Sequence, residues 1–398
     1  MSKPSTNISF TEFVALMALM MSLTALSIDA MLPALPQIGH DLAVANKNDL
    51  QLIITTLFVG MAIGQLIYGP FSDSRGRKPA IYLAISIFIV GSLCSIFATS
   101  FSMMLFGRFL QGFGAAGPKI VSVALVRDEY EGRAMARVMS FIMTIFILVP
   151  IIAPALGQMI LFIADWRAIF ALFLVLALTI LVWFSVRQAE TLLASERIPI
   201  SAEKIQSEIK EILSNRVSTG YAITSGLVFG ALVGYLSCIQ PIFQELYGLG
   251  SKFALYFGFI AGSIGIATLV NAKLVMRYGM HLLSRIALIT MMVISIIFFI
   301  IASFYSGLPD LGMLIVYFLL CFFCIGILFG NLNAIAMEPL GHIAGMGAAV
   351  IGSLSTFISV PLGMLIGHYY NNTVLPLIAG FMILAILSLL VTNWANRT

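Results

Sequence analysis

Asp29 is an acid placed where an acid is costly. It lies about 18 residues into an apolar run that begins near residue 11, roughly 10 Å short of the far end of a helix rising 1.5 Å per residue. Ionising a carboxylate at mid-membrane costs about 2.5–3.5 kcal/mol on insertion scales, so a group at such depth is suited to taking up and releasing a proton. Arg108 stands about five residues into the fourth apolar run, some 8 Å from the same end. The two charges share a depth and are expected to pair, with protonation of Asp29 competing against that pairing. The other reading is a structural ion pair pinning two helices together. Pro33 and Pro36 follow Asp29 closely; each removes a backbone donor and either exposes carbonyls to a cavity or simply ends the helix.

Lys119 follows Arg108 by eleven residues, and eleven steps of about 100° make three turns plus roughly 20°, so both face one way, about 16 Å apart in depth. A Lys facing a water-filled cavity binds an anionic group or carries a proton. Otherwise it snorkels to the inner surface or pairs with an acid. Gln65, Tyr68, Gln111, Tyr235, Gln240, Gln244, Asn331 and Asn333 are further polar residues inside apolar runs. Some are expected to line a substrate cavity, because polar groups facing lipid are costly, and others to bond helix to helix. Cys321 and Cys324 have the spacing of a zinc pair but no second pair, and read as helix core. No metal and no cofactor is expected.

The elements that hold these residues follow from composition. Of 398 residues 60% are hydrophobic and 10% charged, against roughly 45–50% and about 25% in soluble domains. A soluble globule of this composition would expose an aggregating surface. A net charge of +4 without long basic runs argues against a nucleic-acid partner, and four Cys argue against a disulfide scaffold. The apolar runs are long and unalternating, which excludes a β-barrel. The chain therefore reads as an all-α polytopic membrane protein. Its spans fall at 11–36, 49–72, 80–98, 103–127, 135–163, 168–186, 217–246, 253–275, 282–304, 311–337, 345–370 and 374–394. The first is too long for the core of a cleaved signal and is expected to stay.

Of the 21 Lys and Arg, sixteen fall on the side that holds both termini, three on the other, and two inside spans. The positive-inside bias makes that side cytoplasmic. In the polar stretch after span six, Ile205, Ile209, Ile212 and Leu213 recur at helical spacing between Lys and Glu, as in an amphipathic helix on the inner membrane surface. The expected organisation is an N-terminal six-helix bundle (1–187), a cytoplasmic linker (188–216) and a C-terminal six-helix bundle (217–398). An internal repeat agrees: the segment from Gly69 to Arg77 recurs in worn form from Ala272 to Gly279, with Met276 in place of Asp73. Parallel halves of this kind are a transporter plan with the site at mid-membrane.

The segment Gly69-Pro-Phe-Ser-Asp73-Ser-Arg-Gly76-Arg77-Lys78 resembles the loop signature of the major facilitator superfamily between its second and third helices. Leu26-Ser-Ile-Asp29-Ala-Met-Leu-Pro33, Arg108-Phe-Leu-Gln111-Gly112 and Ala153-Pro154-Ala-Leu-Gly157-Gln158 resemble motifs of the drug:proton antiporters. With Gly64-Gln65, Tyr68-Gly69-Pro70, Arg127-Asp128 and Trp166 the chain is similar to the Bcr/CflA (bicyclomycin and chloramphenicol resistance) group. The resemblance implies the major facilitator fold, a proton-carrying Asp29 with Arg108 as its partner, and an antiporter helix built on Pro154 and Gly157. It also implies a conformational latch of Gly69, Asp73, Gly76, Arg77 and Asp128, in which Asp73 meets the start of helix eleven and Arg77 links to Asp128.

The expected function is a proton-coupled antiporter exporting small amphipathic compounds by alternating access, from a bacterial inner membrane. Its partners are a small-molecule substrate, protons and the lipid bilayer, and it is expected as a monomer. Lys119 favours an alternative, the exporter of a specific endogenous anionic metabolite such as a siderophore-like compound. A non-transporting sensor would need an appended soluble domain. An enzyme is excluded by the lack of a clustered nucleophile, a metal set or a phosphate-binding Gly-Lys loop.

Overall fold

The structure, a computed structural model, describes residues 8–197 and 201–397. Lys3, one of the inner-side basic residues, lies outside them. Helix α1 (Phe10–Asp29) starts at Ser9, whose hydroxyl accepts from the Glu12 amide. It stops at Asp29, passes a tight turn at Leu32–Ala34, and resumes as α2 (Leu35–Asp41). Pro33 and Pro36 stand in the first turns of these two pieces, where the missing N–H costs nothing, so the first span is broken at Asp29 rather than continuous.

Five long helices follow: α3 (Leu52–Arg75), α4 (Arg77–Ile96), α5 (Phe101–Glu129), α6 (Gly132–Leu161) and α7 (Arg167–Arg187). The linker carries α8 (Ala202–Ser214). Then come α9 (Arg216–Gln240), α10 (Phe253–Tyr278), α11 (Met280–Phe304), α12 (Leu311–Met337), α13 (Ala344–His368) and α14 (Leu375–Ala395). Among the described residues there is no strand. Eleven helical stretches are long and apolar enough to cross a bilayer; one of them, 311–368, is the pair α12 and α13 joined by a turn at Glu338–Ile343, where Leu340 leaves helical geometry. That pair brings the crossings to twelve. Outward residues such as Phe162, Ile163, Val186 and Leu255 are large, apolar and exposed, as a lipid-facing surface requires.

The chain forms two compact units, one of residues up to 44 with 56–206, the other of 45–55 with 207–398. Residues 45–55 join the second unit through Asn48, whose amide donates to the carbonyls of His368 (3.1 Å) and Tyr370 (3.0 Å), and through Lys47, which pairs with Glu245 at 3.1 Å. The first unit packs α1 on α5 and α6, and α4 on α5 and α7. The second packs α9 on α13 and α14, and α12 on α10 and α11, around an aromatic core. There Tyr317 stacks on Phe298 at 4.4 Å, and Tyr235 is ringed by Phe257, Phe318 and Phe322.

In α8, Ile212 is buried against protein, while Ile205 and Ile209 are half-buried, so the apolar stripe is only partly covered. Of the four, only Leu213 is exposed.

Candidate functional site

Arg108 on α5 is wholly buried. One end of its guanidinium donates to the Ser27 carbonyl on α1 (2.9 Å), the other to Gln111 Oε1 one turn on (2.8 Å). Gln111 Nε2 donates in turn to Ser92 Oγ on α4 (2.9 Å), and the Phe170 ring of α7 lies 5.8 Å below the guanidinium. Arg108 and Gln111 thereby tie four helices together. The Ser27 carbonyl is available because α1 ends two residues later, and last-turn carbonyls lack intrahelical donors. A cation there also faces the negative end of the helix dipole.

Asp29 is the residue on which α1 ends, and it is 5% exposed. The expected Asp29–Arg108 ion pair does not form: no ion pair joins them among the described residues. The break in α1 offers a carbonyl, and with Gln111 it occupies the guanidinium fork. Asp29 is left as a buried carboxyl beside that network, without an ion-pair partner of its own. Helix α6 closes on it from another side. A Cβ on Gly157 would run into the Ala30 carbonyl, so α6 passes at backbone contact beside the residue after Asp29. Pro150 and Pro154 lie inside α6, and each leaves a carbonyl without its donor.

Gln65 and Tyr68 on α3 are buried, and Gln65 Nε2 and the Tyr68 hydroxyl have no hydrogen-bond partner among the described residues. An orphaned buried polar group costs about 1–3 kcal/mol. The Tyr68 ring packs at 5.4 Å from Phe113. Lys119 is half-buried on α5 and makes no hydrogen bond or ion pair with the described residues.

At the ends of α3, α4 and α5 a second cluster gathers. Arg77, its side chain 3% exposed, donates from Nε to Asp128 (2.8 Å) and from Nη1 to Ser72 Oγ (2.9 Å) and to the Asp73 carboxylate. Gly69 lies in α3 just before Pro70, three residues ahead of Ser72. Gly76 holds φ at +107°, a region that favours glycine, and a Cβ there would meet the Glu190 carboxylate.

Glu190, from the stretch after α7, accepts from the Arg77 and Lys78 amides (both 2.9 Å) and from its neighbour Leu192 (3.1 Å). It caps the N-terminus of α4 from a distance. Thr191 donates to Asp128 at 2.8 Å, and Lys78 Nζ donates to the carbonyls of Ser185 and Gln188 at the end of α7. Sequence reasoning missed Glu190 and Thr191. A signal was present: α4 begins on a glycine, which has no side chain to cap it, so an acceptor had to come from elsewhere.

Residues 17–364 match the Major Facilitator Superfamily. The chain belongs to that superfamily. It is 30% identical over 378 residues to the uncharacterized MFS-type transporter YdgK of Bacillus subtilis, covering 94% of this chain and 92% of the relative. It is 29% identical to a bicyclomycin resistance protein homolog of Haemophilus influenzae, over 92% of this chain and 91% of that one. Such relatives support its place in the Bcr/CflA group. The fold matches the xylose transporter XylE from E. coli with a TM-score of 0.72 at 15% identity, over 96% of both chains. The protein is thus a multi-pass membrane transporter of small molecules and not an enzyme.

In the second unit of this facilitator the other candidates are mostly committed to packing. Tyr235 belongs to the aromatic core. Asn331 exchanges two amide bonds with Asn271 (3.0 and 2.9 Å), joining α12 to α10. Asn333 donates to the Phe329 carbonyl of its own helix, and Gln240 donates to Gln244 at 2.8 Å. Asn271 was not singled out in the sequence; its partner is sixty residues away and only helix packing reveals it. Among the described residues no group of His, Cys, Asp and Glu is arranged to hold a metal.

Proposed function

We propose that this facilitator is a proton-coupled antiporter that exports small amphipathic compounds, with both termini on the cytoplasmic side of a bacterial inner membrane. The observation that carries this reading is Asp29: a buried carboxyl at a helix break, with α6 at backbone contact beside it and Arg108 held off it by a carbonyl and an amide. A carboxyl in that setting exchanges a proton without first breaking an ion pair. The name of the Haemophilus relative, a bicyclomycin resistance protein homolog, supports drug export as the class of cargo. The latch role of Asp73, Gly76, Arg77 and Asp128 belongs to the same proposal, as the device that lets the cavity alternate. Driving force suffices: one pH unit supplies about 1.4 kcal/mol and 100 mV about 2.3 kcal/mol per charge moved.

The test is transport in proteoliposomes under an imposed pH gradient. Asp29→Asn, a permanent mimic of the protonated form, is expected to abolish uphill export yet permit exchange of substrate down its own gradient. Full pH-driven accumulation by this variant would move the coupling site elsewhere, with Glu245, Asp310 and Glu338 next in line.

Lys119 favours a second reading, export of an anionic metabolite. A half-buried ammonium with no partner among the described residues, in helical phase with Arg108, has its donors open for an anionic cargo.

A further inference from the structure

A cavity of about 380 Å³ with a mixed polar and apolar wall lies inside the second unit. Its walls come from the start of α9 (Tyr221), the first turns of α11 (His281, Ser284, Arg285) and the end of α14 (Thr392, Asn393, Asn396). One wall is already bonded to itself. The Tyr221 hydroxyl lies 3.1 Å from Asn396 Oδ1 and 3.2 Å from His281 Nδ1. His281 Nε2 is 3.6 Å from Glu338, which stands behind the ring. Thr392 spends its hydroxyl on the carbonyls of Ser388 and Leu389.

The remaining groups are unused. Ser284 is 2% exposed, and its Oγ is buried with no hydrogen-bond partner among the described residues. Arg285 is exposed and forms no hydrogen bond or ion pair with the described residues, and neither does the side chain of Asn393. Helix α11 lines the cavity with its first turns and starts just before His281, where Gly279 provides no side-chain cap. A hydroxyl, a guanidinium and an amide line one small space beside an uncapped helix start. All of them can donate, and the helix dipole adds positive potential. That chemistry fits a phosphate oxyanion.

The surroundings decide between a free phosphate and one carried on lipid. From the same turns of α11, Leu282, Ile286, Ile289 and Val293 are exposed at helical spacing, a stripe about 16 Å long beside the cavity. On α14, Leu390 and Trp394 are exposed as well, and the Arg216 guanidinium lies 5.0 Å over the Trp394 ring. We propose that this cavity holds the headgroup phosphate of an anionic phospholipid, with Arg285 and Ser284 as its ligands and the α11 stripe as the seat of an acyl chain. The site rests on the orientation proposed above, which puts the start of α11 at the cytoplasmic leaflet, where anionic headgroups and basic pockets meet.

The test reads lipid binding, not transport, so it stands apart from proton coupling. Purified protein in neutral detergent is titrated with phosphatidylglycerol, phosphatidylcholine, glycerol phosphate or inorganic phosphate, and thermal stability and lipid retention by native mass spectrometry are followed. Phosphatidylglycerol is expected to bind and stabilise where phosphatidylcholine does not. Arg285→Gln should raise the concentration needed about tenfold, the loss of one charge-assisted bond, and Arg285→Lys should recover part of it. Ser284→Ala should leave the lipid-free protein as stable as before or more so, yet weaken the lipid response. Equal binding by wild type and Arg285→Gln would overturn the site. Equal stabilisation by glycerol phosphate or inorganic phosphate would overturn the lipid and leave a soluble anion.

Discussion

Glu190 offers the sharpest check on the cluster at the ends of α3, α4 and α5. Its two oxygens serve three amides, two of them the first amides of α4, at 2.9–3.1 Å. Bonds to a charged acceptor contribute about 1.5–3 kcal/mol against about 0.5–1.5 kcal/mol for neutral ones. A carboxylate at a helix N-terminus adds about 0.3–1 kcal/mol. Glu190 is half-buried, so part of this is screened. Glu190→Gln keeps one neutral acceptor and should cost about 1–2 kcal/mol; Glu190→Ala keeps none and should cost about 2–3 kcal/mol, the upper end of a lost cap. The four cysteines supply the assay, because three are buried and one is half-buried in the helices, so a thiol-reactive dye reports unfolding as they become accessible. Raising salt should narrow the gap between wild type and Glu190→Gln, since only the charge is screened. If Glu190→Ala lies within about 0.5 kcal/mol of wild type, the range of an ordinary surface substitution, Glu190 is not the cap of α4 and the cluster does not include the linker.

Three further outcomes are expected. Asp73→Asn and Arg77→Ala should slow transport while leaving ligand affinity in detergent nearly unchanged; equilibrium titration and timed flux on the same preparations separate the two effects, and a large loss of affinity would contradict the latch. Gly157→Leu should be poorly tolerated, because its side chain meets the Ala30 backbone and not a flexible neighbour; overpacking of this kind costs about 1–3 kcal/mol, read as lower thermal stability and a lower transport rate together. Lys119→Ala should reduce export of anionic compounds more than of neutral ones in a paired-substrate flux assay, and equal loss for both would end the anionic reading.

The spans were legible because twenty apolar residues in a row leave a chain few choices; Pro33 and Pro36 marked a bend or an end to the first helix without placing its stop at Asp29. The polar residues inside the spans were legible as a set but not in their pairings. Whether Arg108 meets a carboxylate or a carbonyl depends on where α1 stops, to within one turn. The Asn271–Asn331 exchange depends on the register of two helices, which composition does not encode. The stripe on α8 was visible, but periodicity marks an apolar face without naming what covers it, and here Ile212 is covered by protein. Glu190 was hidden for a related reason: a cap supplied from a hundred residues away leaves no local spacing to read.

The two copies of the internal repeat are locked by different kinds of bond. Where the first has Asp73, Arg77 and Asp128, the worn repeat of the second has Met276, 88% exposed, and there α10 and α12 are locked instead by a reciprocal pair of neutral amides. Mobile ions weaken the first kind of joint and scarcely touch the second. Ionic strength therefore acts mainly on the partly exposed Asp73 arm of the charged joint, and leaves the amide pair in register. Hydrogen exchange followed across a salt series would display that asymmetry as protection lost in α3, α4 and α5 and retained in α10 and α12.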